Sequence, residues 1–117
     1  MKSVLKHDTQ RNDLFLEARF YLGVSYLDSN QPLLSIKQFC IMIQIKPDYK
    51  HLVYLILSLA YRRVNQHSHA IKVLTKGLKY FAKVSEMYLV RGQVHLQVAS
   101  YKEAISDFEK FIQLNSN

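Results

Sequence analysis

His51-Leu52-Val53-Tyr54-Leu55-Ile56-Leu57-Ser58-Leu59-Ala60-Tyr61-Arg62-Arg63 is apolar almost throughout for ten residues and then stops on two arginines. Taken alone it could anchor in a membrane, form a core strand, or be a helix buried on every side. Length removes the first option: ten helical residues rise about 15 Å, roughly half of a bilayer's hydrocarbon core. No other run in the chain comes closer. The choice between strand and helix depends on what surrounds the stretch.

The 117 residues suffice for one domain with a modest core. A hydrophobic content of 49% with 21% charged residues argues against disorder. Three glycines and two prolines are too few to punctuate many short strands, so long helices are favoured. Cys40 stands alone, which excludes an internal disulfide and suits a reducing compartment. The opening residues Met1-Lys2-Ser3-Val4-Leu5-Lys6-His7-Asp8 lack the apolar segment of a secretory signal. An intracellular, cytoplasmic chain without membrane insertion is the resulting expectation.

Outward from the opening stretch, a period emerges. Gly23, Ser58 and Gly92 are small residues 35 and then 34 places apart. Three residues after each come Tyr26, Tyr61 and His95. Ser35, Ala70 and Ala104 follow at twelve residues, and the large apolar Phe39, Leu74 and Phe108 four places beyond. Within each copy, apolar residues recur at three- and four-residue steps on both sides of a polar break, which predicts two helices per copy. The breaks are Leu27-Asp28-Ser29-Asn30-Gln31-Pro32, Val64-Asn65-Gln66-His67-Ser68 and Ala99-Ser100-Tyr101. Pro32 suits a helix's first turn, and Pro47 closes the first copy because proline cannot continue a helix. Helices so closely linked must pack antiparallel.

These positions resemble the tetratricopeptide-repeat family over residues 16–117. Leu22-Gly23, Tyr26, Phe39 and Pro47 carry the likeness in the first repeat. Tyr54, Leu57, Tyr61 and Ala70 carry it in the second, and Tyr88, Gly92, Ala104 and Phe108 in the third. Ser58 stands where the family has glycine, Arg19 and Arg91 replace an aromatic and a leucine, and Met42 and Phe111 replace alanines. The resemblance implies an all-α, right-handed solenoid of antiparallel helix pairs. It would comprise six helices in units 16–50, 51–84 and 85–117, behind a short N-terminal extension, 1–15. A pentatricopeptide, RNA-reading repeat fits less well, because Tyr80-Phe81-Ala82 and Leu114-Asn115-Ser116 do not repeat the ending Ile45-Lys46-Pro47-Asp48.

Catalytic chemistry has no support in the residues. His67 and His69 lie two apart, on different faces of a helix, with no carboxylate nearby to complete a zinc site. Cys40, beside Phe39 and Ile43, reads as a buried structural thiol. No phosphate-cradling glycine loop and no paired carboxylates occur, so neither cofactor nor metal is expected.

By resemblance, binding falls to the concave surface lined by the first helix of each repeat. The lining residues would be Phe20, Tyr21, Val24 and Leu27, then Leu52, Leu55, Ile56, Leu59 and Arg62, then Leu89, Val90, Gln93 and Leu96. Family members that grip a chaperone's terminal carboxylate use lysine, asparagine and arginine. The aligned residues here, Phe20, Val24, Ile56, Glu86 and Val90, donate no side-chain hydrogen bond to a carboxylate. The expected occupant is therefore an amphipathic helix or peptide of a partner protein, of a second copy or of a missing part of the same polypeptide. Alternatively, Val4, Leu5, Leu14 and Phe15 fold back over part of the groove.

Charge supplies a second candidate surface. The net charge is +7, and no acidic residue occurs between Asp48 and Glu86. Lys72, Lys76, Lys79 and Lys83 step by four, three and four, a basic stripe expected on the second helix of the middle repeat. A nucleic-acid-binding repeat using this stripe is the alternative function, though a solvated face is the simpler account. Finally, the sequence closes shortly after Leu114 without a polar capping helix. That predicts either a portion of a longer array or end-to-end stacking.

Overall fold

The computed structural model describes residues 2–116, with side chains described from residue 11 onward. Six helices follow one another among these residues: α1 (Lys2–Asp28), α2 (Pro32–Ile45), α3 (His51–Arg63), α4 (His67–Tyr80), α5 (Ser85–Gln97) and α6 (Tyr101–Asn115). Each packs on the next in chain order, and α1 also touches α3. This is a linear stack of helix pairs, so each helix's burial depends on its immediate neighbours. The residues expected to form a separate extension continue α1 instead: no glycine or proline interrupts the chain between Lys2 and Leu22.

The three turns inside the pairs share one design. Asn30, Asn65 and Ala99, spaced 35 and 34 apart like the repeat itself, have φ of 62°, 61° and 61°. Behind each, the backbone closes the same pair of hydrogen bonds. Gln31 N–H donates to Tyr26 O at 2.7 Å, Gln66 N–H to Tyr61 O at 2.8 Å and Ser100 N–H to His95 O at 2.8 Å. The residue before each donates three places back, giving the Schellman pattern that satisfies a helix's last carbonyls. Asparagine tolerates this left-handed conformation, which is why the second turn needs neither glycine nor proline. Ala99 has no such side chain and bears the strain.

The small residues of the period make close crossings. A Cβ at Gly23 would lie 2.7 Å from the Phe39 ring, and one at Gly92 would lie 2.7 Å from the Phe108 ring. Ser58 fits the corresponding place in the middle pair because its partner position carries the smaller Leu74, and its hydroxyl donates to Leu55 O at 2.7 Å. The core runs through the stack as Phe39, Met42, Tyr54, Leu57, Leu74 and Met87, all fully buried. Tyr54, Leu57 and Ala60 of the opening stretch belong to it, which resolves that stretch as the helix at the middle of the stack. On α6, Ile105 and Ile112 are exposed, whereas Ile43 and Leu78, at the same repeat position as Ile112, are buried under the following helix.

Two expectations need correction. Cys40 is half-buried, not sealed in the core, and its Sγ lies 3.6 Å from the Tyr61 hydroxyl. Burial first, and then this hydrogen bond, push the Tyr61 phenol up to about 12. The basic stripe does not all belong to one helix: α4 ends at Tyr80, and Lys83 lies in the turn that follows.

Candidate protein-binding groove

The first helices of the three pairs, α1, α3 and α5, carry the residues expected to line a groove. Each buries one side against its own partner helix and its neighbours, and what remains outward is graded. Tyr21 is 57% exposed, Leu52 41% and Leu59 40%, with Gln93 and Leu96 also exposed. Val24, Ile56, Arg62, Leu89 and Val90 are half-buried beside them. Phe20, Leu27 and Leu55 are buried. Phe20 and Leu55 join the core cluster, so they stand behind the surface residues without contributing area to them. Four large apolar side chains, Tyr21, Leu52, Leu59 and Leu96, are thus left open on the first helices of the three pairs.

Local contacts hold the first-repeat end of this surface. The Phe20 ring meets Phe39 edge-on at 5.9 Å and Tyr21 at 5.7 Å. Lys50 Nζ lies 4.6 Å from the centre of the Phe20 ring and 5.1 Å from that of Tyr49. Beside them a cleft of about 560 Å³ is lined by Asp13, Leu14, Glu17, Lys46 and Tyr49. Lys46 Nζ and Asp13 Oδ1 are 3.7 Å apart across it. Burial, followed by the negative charges of Glu17 and Asp13, raises the Tyr49 phenol above its usual value. Of the residues weighed as a self-covering segment, Leu14 and Phe15 are 66% and 64% exposed. The side chains of Val4 and Leu5 lie outside the described residues.

Elsewhere the expected residues scatter. Lys72, Lys76 and Lys79 are exposed on α4, and Lys83 is exposed beyond it. His69 stacks on Tyr61 with ring centres 5.2 Å apart, while His67 Nδ1 is buried without a partner. Among the described residues no three His, Cys, Asp or Glu side chains converge as metal ligands would.

The sequence reading missed one charged cluster. Arg91, in a place where the family has leucine, makes a two-pronged bond to the buried Asp107: Nη2 to Oδ1 at 2.7 Å and Nε to Oδ2 at 2.8 Å. Its Nη1 reaches Thr75 Oγ1 on α4 at 3.1 Å, tying three helices together. The hydrogen bond to Asp107 outweighs burial and holds the guanidinium above its usual pKa. His95 Nε2 is 3.9 Å from the same carboxylate. A cue did exist: Asp107 occupies the repeat position of the apolar Val73, and Arg91 that of Leu57.

Comparison with known proteins agrees with this geometry. Residues 85–117 match the family model described as tetratricopeptide repeat. The match places a tetratricopeptide repeat at the end of the chain, and the fold of the whole is that of tetratricopeptide-repeat proteins. Among solved structures, the second TPR of Spaghetti (RPAP3) bound to the HSP90 peptide SRMEEVD superposes with a TM-score of 0.81 at 18% identity. That match covers 92% of this chain and 99% of the other. The Yersinia enterocolitica type III secretion chaperone SycD, in complex with a peptide of the translocator YopD, gives 0.81 at 19% identity, over 88% of this chain and 78% of that one. MamA gives 0.78 at 23% identity, over 98% of this chain and 64% of that one. No curated protein sequence matches the chain. At these identities the solved structures support the tetratricopeptide fold and nothing finer. Among the described residues no helix is long and apolar enough to cross a membrane.

Proposed function

We propose that this tetratricopeptide-repeat chain is a non-catalytic protein-interaction module, an adaptor or scaffold. Its units are 16–50, 51–84 and 85–117, and it holds an amphipathic helix of a partner protein against the face of α1, α3 and α5. The observation carrying this reading is the exposure of Tyr21, Leu52 and Leu59 on the first helices. An amphipathic helix covers such a strip with anchors at i, i+3, i+4 and i+7.

Two points favour a partner's helix over other occupants. The chain's own Leu14 and Phe15 remain open to solvent on α1, so they do not cover the strip. Charge flanks the strip unevenly: Glu17 and Glu86 lie at the N-terminal ends of the first and third units, and Arg62 and Arg63 at the C-terminal end of α3. A helix with basic residues along one flank and acidic residues along the other complements both edges. The structural relatives RPAP3 and SycD hold peptides, according to their descriptions. A carboxylate-terminated peptide such as SRMEEVD suits this chain poorly, because Phe20, Val24, Ile56, Glu86 and Val90 offer it no donor.

Leu52→Glu with Leu59→Glu tests the proposal, since both side chains are exposed and the fold should tolerate the change. Calorimetric titration with a designed amphipathic helical peptide carrying leucines at that spacing should show affinity weakened by about tenfold or more. Undiminished binding, with helicity retained, would contradict it.

A further inference from the structure

The outer face of α4 has no role in the proposed groove. Lys72, Lys76 and Lys79 project from it at helical steps of four and three, all exposed. They border a shallow cleft of about 330 Å³ with Thr75, Ile71 and Tyr80. Tyr80 is itself 46% exposed. Lys83 is exposed in the turn that follows the helix. None of the ion pairs among the described residues involves these four lysines. No acidic residue occurs from Tyr49 to Ser85 to neutralise the row through sequence neighbours. Like charges along one helix face with no ion-pair partner repel one another, so the surface favours an anionic partner.

From the structure we infer that this row is a second docking surface, independent of the groove, and that its partner is an acidic segment of a protein. Shape decides between the anionic classes. Every residue lining the cleft belongs to α4, so it has no second wall to track a nucleic-acid backbone. Tyr80 is its single aromatic, whereas single-strand binding relies on several stacking platforms. A lipid surface requires an apolar face beside the charges, and Ala70, Leu74 and Leu78 of this helix are buried in the stack. From Lys72 to Lys79 the helical part of the row spans about 10 Å, a length that about three extended residues cover. Carboxylates on alternate residues of such a segment fall about 7 Å apart, close to the step between successive lysines.

The test uses the full chain and three fluorescent probes: an oligoglutamate peptide of about ten residues, an oligothymidylate of similar length, and vesicles containing phosphatidylserine. Anisotropy should show oligoglutamate binding at low salt that weakens as the Debye length shortens. Lys72→Glu with Lys76→Glu and Lys79→Glu should weaken it by about tenfold or more, and the milder glutamine triple variant by a smaller factor. A control of equal charge, Lys37→Glu with Lys102→Glu and Lys110→Glu, should stay within about twofold if the row itself binds. Leu52→Glu with Leu59→Glu should leave oligoglutamate binding unchanged, which separates this surface from the groove. Absence of oligoglutamate binding, equal loss in the control triple variant, or tighter binding of oligothymidylate or vesicles would overturn the inference.

Discussion

The middle and third repeats solve the same packing problem with opposite chemistry. In the middle repeat, Leu57 and Val73 occupy two facing positions of the pair, and Leu57 is fully buried. In the third repeat those positions hold Arg91 and Asp107, joined by a two-pronged ion pair in a largely buried setting. In the first repeat the equivalent of Leu57 is Leu22, which is 42% exposed because no helix of the described stack lies in front of it. A repeat position therefore sets where a side chain points, and its neighbours decide whether it is buried. An apolar pair and an ion pair can fill the same place, provided both members change together.

The first prediction breaks that pairing. Arg91→Leu alone leaves Asp107 buried opposite a leucine and should cost about 3–5 kcal/mol in urea unfolding. Adding Asp107→Val, so that the third repeat copies the middle one, should recover most of the loss, because replacing both members of a buried pair is often neutral. A double variant as unstable as the single one would show that the two repeats are not interchangeable at these positions.

A second test trades the close crossing. Gly92→Ser places a side chain against the Phe108 ring, where even a Cβ would stand at 2.7 Å, and should cost about 1–3 kcal/mol. Combining it with Phe108→Leu recreates the middle repeat's Ser58 and Leu74 and should restore part of that loss in the same unfolding assay.

Tyrosines at equivalent positions sit in different settings, and Tyr54 adds a test at high pH. The Tyr54 hydroxyl donates to Pro47 O at 2.6 Å and is pushed by burial up to about 12, whereas the Tyr88 hydroxyl donates to Ala82 O at 2.9 Å on a more exposed site. A phenol whose folded pKa is raised stabilises the fold fully below its unfolded value, about 10, and loses that contribution as pH climbs towards 12. Thermal melts should thus be insensitive to pH near neutrality and fall steeply between about pH 10 and 12. Tyr54→Phe should lower stability at pH 7 by about 1 kcal/mol and soften the alkaline fall. An unchanged alkaline slope would assign that fall to other groups.

The smallest expected effect concerns the turns. Ala99→Asn gives the third turn the residue found at the same place in the first two, and relief of left-handed strain should raise stability by about 0.5–1 kcal/mol. A lowered melting temperature would show that Ala99 is held there by something other than the turn.

The period in Gly23, Ser58 and Gly92 made the helix pairs legible, because close crossings leave few choices of residue. The left-handed asparagines were equally periodic but hidden, since Asn is common in loops and only a backbone angle distinguishes its role. The Arg91–Asp107 pair was illegible as a pair: sixteen residues separate its members, and each alone looks like a departure from the pattern. For the groove, spacing identified the first-helix face but could not say how deeply each member sits. Phe20 and Leu55 fell into the core because large side chains on a narrow helix face are drawn inward by their neighbours.

The proposed role stands most directly on where a ligand lands. Amide chemical-shift mapping of the whole chain should be run with two peptides, the designed amphipathic helix and SRMEEVD. The helix should shift the resonances of Tyr21, Leu52, Ile56, Leu59 and Gln93 together, and SRMEEVD should leave them in place. Saturable binding of SRMEEVD that requires its terminal carboxylate, with no response to the amphipathic helix, would contradict the account.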